Sequence, residues 1–136
     1  MPKKPSPVLV AGNHDPDFAD AVGSRLDELG RLQPNWDGYG SPVIDPDIIA
    51  AARGFVRSLP KDIAYRPIIV PMSTGNLQFE WHKASKILEL EFETPQLIHY
   101  LQWHPESKVE EEGTFPATNI DKAVDLIQWF MSGIYV

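Results

Sequence analysis

Two neighbouring runs of alternating apolar and polar residues in the middle of the chain limit the folds that are open to it. The apolar members are Leu77, Phe79 and Trp81 in the first run and Leu88, Leu90 and Phe92 in the second. A period of two residues places alternate side chains on opposite faces of a β-strand. The polar segment Lys83–Lys86 between the runs is typical of a turn. The pattern therefore predicts an antiparallel hairpin with one buried and one solvated face.

The polar members of the same two runs form a second pattern. They are Gln78, Glu80 and His82 in the first run and Glu89, Glu91 and Glu93 in the second. Opposed side chains in an antiparallel pair lie ~4.5–5.5 Å apart, so we expect Glu80 close to Glu89 or Glu91. Lys83 and Lys86 are expected to balance part of this charge. Such a row is typical of a solvated face, but it also suits a protein-binding surface, a divalent metal or an acid–base pair.

Three further segments read as strands around the hairpin. A short strand is expected at Ile68–Val70, between two prolines, and another at Leu97–Trp103. Within the latter, His99 alternates in step with its leucine neighbours, which predicts a partly buried, hydrogen-bonding histidine. Lys108–Phe115 is acidic and is expected at the edge of the sheet, where charge discourages aggregation.

Apolar stripes with a spacing of three or four residues predict helices outside the sheet. Asp15-Pro16 starts the first helix, which is expected to stop at Gly30, and Asp45-Pro46 starts the second, which Pro60 closes. In both pairs the aspartate suits the N-cap and the proline suits the first helical position. A third helix follows the sheet, where Thr118 and the aspartate three residues later resemble a capping box.

The order of these elements predicts an α+β fold. We expect an antiparallel meander sheet of three to five strands, with two N-terminal helices and one C-terminal helix packed on one face. A chain of 136 residues fits one domain. The proline-rich residues 1–7 are expected to form a flexible tail, and residues 8–136 a single α+β domain.

Charge and composition exclude several classes of function. The chain has 12 Lys+Arg against 19 Asp+Glu, and this net charge of −7 opposes binding to nucleic acid. Leu77–Phe115 alone holds eight glutamates against three lysines. Without cysteine there is no disulfide, thiolate metal site or cysteine nucleophile. No apolar run suits a signal peptide or a membrane span, so we expect a cytoplasmic protein with no membrane partner.

Motifs for catalysis are incomplete. The stretch Val8–Asp15 looks like one metal-binding block of calcineurin-like metallophosphoesterases, but the preceding residues lack the Asp and His ligands of that family's other blocks. No serine lies in a Gly-x-Ser-x-Gly context, and no phosphate-binding or dinucleotide loop is present. The sequence therefore predicts no metal and no cofactor, and favours a protein that is not an enzyme.

The segment between the first two helices carries a resemblance to a known family. It reads Asn-Trp-Asp-Gly-Tyr-Gly over residues 35–40, and a Leu-x-x-Glu-Trp strand follows at Leu77–Trp81. Together these motifs resemble a family of small uncharacterised bacterial proteins over Asn35–Glu93. The resemblance implies a bacterial source and no particular activity. Because aromatic rings are costly to leave in water, we expect Trp36 and Tyr39 to fold the loop back onto the sheet or to contact a partner.

The leading hypothesis is a small acidic protein–protein interaction module, similar to an antitoxin, an immunity protein or an inhibitor. Its partner is expected to be another protein with a basic surface. One alternative is a metal-assisted hydrolase that uses the sheet carboxylates, with the set Asp37, Glu80, His82 and Glu91, and another is a self-associating structural protein. The candidate binding residues are Trp36, Asp37, Tyr39, Glu80, His82, Glu89 and Glu91.

Overall fold

Five strands form one antiparallel sheet in a computed structural model that describes residues 17–63 and 65–132. Each strand pairs with the next one along the chain, so the sheet is a meander in the order β1-β2-β3-β4-β5. The strands are β1 (Ile68–Pro71), β2 (Leu77–Lys83), β3 (Lys86–Thr94), β4 (Leu97–His104) and β5 (Val109–Pro116). The acidic segment is the edge strand β5, as its composition predicts.

Three helices within the described part of the chain accompany the sheet: α1 (Phe18–Gly30), α2 (Pro46–Ser58) and α3 (Ile120–Met131). The Asp45 side chain accepts a hydrogen bond from the backbone N–H of Asp47, which confirms the predicted cap of α2. The predicted capping box of α3 is wrong. Asn119 occupies the N-cap, and its side-chain oxygen accepts from the backbone N–H of Lys122, so α3 is capped one residue later than Thr118 would cap it.

The remaining predictions for the N-terminal part fall on residues that the structure does not describe. These are the tail over residues 1–7, the Val8–Asp15 motif and the Asp15-Pro16 cap. None of the helices among residues 17–63 and 65–132 has the length and apolar character needed to cross a membrane.

Cross-strand pairing determines which side chains share a face of the sheet. Phe79 of β2 lies opposite Leu90 of β3, which lies opposite Tyr100 of β4. These residues belong to one buried cluster together with the apolar stripes of all three helices. We call this side of the sheet the covered face and the opposite side the open face. The α+β fold with its helices on one face is confirmed.

The core of the covered face is aromatic. The Phe55 ring of α2 meets the rings of Phe79 and Phe92 edge-on, at centroid distances of 5.8 and 5.5 Å. The Trp81 indole donates its N–H to the carbonyl of Tyr65, 3.0 Å away, so its burial leaves no polar group unpaired. Each fully buried side chain of this size contributes ~1.5–3 kcal/mol through the hydrophobic effect.

The two lysines that flank the hairpin turn do not lie where the sequence suggests. Lys83 pairs with Lys86, in step with the covered-face residues, so neither balances the carboxylates of the open face. Lys86 is buried, and its Nζ donates to the carbonyls of Trp129 and Ser132 at the end of α3, at 2.5 and 2.9 Å. The reason is the two-residue turn, which puts both lysines on the side of the core.

The two edges of the sheet differ. Strand β1 has four residues with a proline before it and one at its end, and Arg25 of α1 donates its Nε–H to the carbonyl of Ile69 at 3.0 Å. This bond occupies an acceptor of the edge strand. Strand β5 has eight residues and carries consecutive glutamates.

Candidate functional site

The open face presents carboxylates and histidines from three adjacent strands. Glu80 of β2 lies directly opposite Glu89 of β3, which confirms the expected closeness of these two carboxylates. Glu91, the next residue of β3 on this face, lies opposite His99 of β4. All of these side chains are half-buried by their neighbours on the flat sheet. Glu93 falls at an irregularity of the β3–β4 pairing and is more exposed.

Hydrogen bonds bind parts of this array together. Gln78 donates to Glu80 at 2.6 Å, and His82 Nε2 lies 3.3 Å from the other oxygen of the same carboxylate. Asn76 donates to Glu91 at 3.0 Å. On the other side of the array, His99 Nε2 lies 3.0 Å from an oxygen of Glu112 on β5.

Glu89 differs from these neighbours, because its carboxylate has no hydrogen-bond donor among the residues that the structure describes. Partial burial raises the pKa of Glu89, and the charge of Glu80 raises it further, while His82 acts in the opposite direction. The ionised form of Glu89 is therefore disfavoured. Strand pairing holds this carboxylate beside that of Glu80, and no described lysine or arginine pairs with either of them.

Two groups on the open face could hold a metal ion. Glu80, His82 and Glu89 form one group, and Glu91, Glu93 and His99 form the other. In each group one ligand atom per residue can be chosen so that the atoms lie within 4.8 Å of one another. Carboxylate and imidazole ligands suit divalent ions. The hydrolase set expected from the sequence does not come together in either group, because Glu91 falls in the second group and Asp37 in neither.

Asp37 accepts hydrogen bonds within the loop between α1 and α2, and we call residues 35–42 of this loop the Tyr39 loop. One of its oxygens accepts from the backbone N–H of Tyr39 at 2.9 Å, and the other accepts from the hydroxyl of Ser41. These bonds, the Ser41 hydroxyl foremost, hold the pKa of Asp37 below its usual value. The Asn35 side chain accepts from the N–H of Gly40 at 2.6 Å. The polar residues of the motif therefore hold the loop in one shape.

The two aromatic residues of this loop have different environments. Trp36 donates its indole N–H to the carbonyl of Pro42 at 2.8 Å and packs against the core. Tyr39 is 92% exposed. The expectation that the loop folds back onto the body holds for Trp36, but burial of Tyr39 is wrong. Hydrogen bonds within the loop and the packing of Trp36 already hold the loop closed without Tyr39. Gly38 and Gly40, which flank the exposed Tyr39, both have positive φ.

The loop is linked to the open face through the β1–β2 turn. The backbone N–H of Asp45 donates to the carbonyl of Gly75 at 3.0 Å. Gly75 has a φ of +89°, and a Cβ there would lie 3.1 Å from the carbonyl oxygen of Val43, so a side chain would disturb this contact. The next residue, Asn76, donates to Glu91. Hydrogen bonds made by Gly75 and Asn76 thus link the segment that follows the Tyr39 loop to Glu91 on the open face.

The sequence analysis missed the apolar residues of the open face. Ile87, Leu101 and Trp103 lie on this face, with Trp103 opposite Ile87. The signal was present in β4, where every second residue from Leu97 falls on the open face. This signal was not decisive, because β4 places apolar residues on both faces and its sequence does not show which face is buried.

A cleft of about 370 Å³ lies between α1 and α2, away from every predicted site residue. Arg53 of α2 forms an ion pair with Asp27 of α1 along it. A second space of about 200 Å³ lies beside Arg25 and Ile69. Neither coincides with the open face.

Comparisons with protein-family models, with curated proteins and with solved structures found no match. The resemblance to the Asn-Trp-Asp-Gly-Tyr-Gly family stays a prediction from the two motifs. The function is therefore argued from the geometry of the open face and the loop.

Proposed function

We propose that this chain is a small acidic protein–protein interaction module that binds a basic protein through its open face. The observation that carries the proposal is the pairing of Glu80 with Glu89 in the middle of the sheet. Like charges that face each other across two strands are destabilising. A cation from a partner relieves this repulsion. Complementary charge of this kind mainly steers association and selects the partner.

The Tyr39 loop supplies the second part of the binding surface. An exposed tyrosine on a loop held by its own hydrogen bonds loses little conformational freedom when it binds. Tyrosine is among the residue types enriched in interface hot spots. Hydrogen bonds of Gly75 and Asn76 link this loop to Glu91, and we expect one partner to contact both regions.

The proposal extends to the class of protein and its location. An antitoxin, an immunity protein or an inhibitor acts by such binding and needs no catalytic set. The resemblance of the loop motif supports a bacterial source, and the absence of cysteine is compatible with the cytoplasm. The net charge of −7 argues against nucleic acid as the partner.

Affinity capture from the native host with three baits tests the proposal. The baits are the wild type, Glu89→Lys with Glu91→Lys, and the matched control Asp20→Lys with Asp125→Lys, whose exposed aspartates lie on α1 and α3. Both double variants change the net charge equally. We expect a basic protein on the wild type and the control but not on the open-face variant. With the purified partner, the open-face variant should slow association more than it speeds dissociation.

Three outcomes contradict the proposal. The first is a partner that both double variants lose equally, which indicates net charge without a specific face. The second is an acidic partner. The third is an association defect that persists near ~1 M salt, where the Debye length is about 3 Å and exposed charges no longer interact.

A metal-assisted hydrolase is the second candidate, and the clustering of Glu80, His82 and Glu89 favours it. A carboxylate beside a bound ion can activate water. Calorimetric titration with Zn²⁺ and Mn²⁺ distinguishes it from the binding module. Tight binding that Glu89→Gln abolishes, together with a hydrolytic activity lost in the same variant, would establish the enzyme. Binding that survives this substitution removes the candidate.

A further inference from the structure

The open face is apolar at the end that lies beside the β2–β3 turn. Trp103 and Ile87 form a cross-strand pair there, and Leu101 lies two residues before Trp103 on the same face. We call these three residues the apolar end. The indole of Trp103 is 37% exposed. The helices pack on the covered face, so they leave this surface uncovered.

Carboxylates border the apolar end on both sides. Leu101 lies opposite Glu89 on β3 and opposite Glu112 on β5, and Trp103 lies opposite Glu110. Cross-strand neighbours are ~4.5–5.5 Å apart at Cβ. A cation that rests on the apolar end therefore lies within reach of a carboxylate on each side.

Other aromatic rings of this chain already carry a cation. Lys86 Nζ lies 4.7 Å from the ring centroid of Trp129. Lys122 Nζ lies 4.8 Å from that of Tyr100. Within residues 17–63 and 65–132, no lysine or arginine lies over Trp103. Trp103 combines partial exposure with acidic cross-strand neighbours.

We infer that the apolar end binds an arginine side chain of the basic partner, an inference that rests on the proposed function. A guanidinium is planar and weakly hydrated, so it can stack on an indole and donate two parallel hydrogen bonds to a carboxylate. A lysine ammonium is a compact, strongly hydrated charge without this geometry. Trp103 provides the stacking surface, and Glu110 and Glu89 provide the acceptors.

The surroundings hold this end of the sheet in place. The hydroxyl of Ser85, in the β2–β3 turn, donates to the carboxylate of Glu106, in the connection from β4 to β5. This bond holds the pKa of Glu106 below its usual value, and the Glu106 carboxylate belongs to the negative charge at this end of the sheet. The same charges argue against a second copy as the occupant, since two open faces would bring glutamates together.

The test compares two synthetic peptides of ten residues with equal charge, one alternating arginine with threonine and the other lysine with threonine. Their affinities for the full chain are measured by calorimetry at low salt. We expect the arginine peptide to bind about threefold to fivefold more tightly. The Trp103→Leu variant keeps an apolar side chain and should bring this ratio close to one, while the affinity for the lysine peptide stays the same. Trp103→Phe keeps a ring and should retain part of the preference.

Ile68→Ala is the matched control, since Ile68 is an exposed apolar residue at the opposite edge of the same face. It should leave the ratio unchanged, and circular dichroism confirms the fold of each variant. Equal affinity for both peptides, or a preference that survives Trp103→Leu, overturns this inference but leaves the proposed function standing. Failure of both peptides to bind contradicts the proposed function itself. A dimer in light scattering that Trp103→Glu dissociates would assign the surface to a second copy.

Discussion

The two faces of the sheet are built from the same strands but differ in what their side chains contribute. On the covered face, Phe79 and Phe92 are completely buried and contact Phe55 of α2. On the open face, Glu80 follows Phe79 along β2 and lies directly opposite Glu89 of β3, and among the described residues neither carboxylate pairs with a lysine or arginine. One face stabilises the fold, and the other costs some of that stability.

Strand register couples the two faces. The pairing that places Phe79 against Leu90 also places Glu80 against Glu89, and a shift by one residue would turn the core residues to solvent. Burial therefore determines the register, while the residue types of the open face are free to vary without loss of the core. The core therefore does not require carboxylates at these positions.

The largest effect is expected from truncation of the core. Leu90→Ala removes a completely buried side chain and should lower the free energy of unfolding by ~2–5 kcal/mol. Its neighbour on the open face provides the control, since Glu89→Ala should change stability by less than ~0.5 kcal/mol or raise it. Urea denaturation measures both. Equal losses for the two variants would show that the faces do not differ as described.

The second largest loss of stability is expected from overpacking at the edge of the covered face. A Cβ on Gly113 would lie 2.9 Å from the ring of Tyr100, so Gly113→Ala forces the ring to move. We expect a loss of ~1–3 kcal/mol in thermal or urea denaturation. Thr114→Ala, one residue further and on the open face, should cost less than ~0.5 kcal/mol. A neutral Gly113→Ala would indicate that Tyr100 is loosely packed.

Lys86 differs from the apolar residues buried on the covered face because it carries a positive charge. Burial lowers the pKa of Lys86. Its hydrogen bonds to the last carbonyls of α3 complement the negative end of that helix. Lys86→Met should therefore cost ~1–2 kcal/mol, despite the added apolar surface. The control is Lys83→Met, its exposed cross-strand partner, for which we expect less than ~0.5 kcal/mol. A more stable Lys86→Met would show that desolvation outweighs these bonds.

The smallest effect is the pH dependence of Glu89. Burial and Glu80 raise its pKa above the ordinary value of 4.5, so the folded state holds this proton more tightly than the unfolded chain. Stability contributed by Glu89 is therefore lost as pH rises from 4.5 through the raised pKa. Glu89→Gln does not ionise and should gain stability over the wild type between pH 4.5 and 7, by less than about 1 kcal/mol because the carboxylate is partly exposed. A difference independent of pH would contradict the assigned cause.

Much of the fold could be predicted from sequence because its signals are local. Alternation in β2 and β3 separates the two faces, and the Asp-Pro pair marks the start of α2. The cap of α3 could not be predicted in the same way, since Thr118 and Asn119 are both good caps and tertiary packing selects one. Lys86 was misplaced because its burial depends on the end of α3, which is distant in sequence.

The candidate site was predictable only in part. The closeness of Glu80 and Glu89 follows from a short hairpin, in which the register is nearly determined by the turn. The exposure of Tyr39 and the surface around Trp103 depend on which residues fill the core. From the sequence alone, each aromatic residue is a candidate for the core. Here other aromatic side chains fill the core, and Tyr39 and Trp103 remain exposed.

The bond from Arg25 to Ile69 also bears on how copies of the protein can assemble. A sheet grows into a filament only if both of its edges accept a new strand. Among residues 17–63 and 65–132, one edge strand is short, flanked by proline and partly occupied by a guanidinium, which leaves β5 as the growth point. Two copies joined through β5 would use the free edges of both and form a closed pair. Edge-to-edge pairing of β5 between copies would therefore end at a dimer and would not propagate into a fibre.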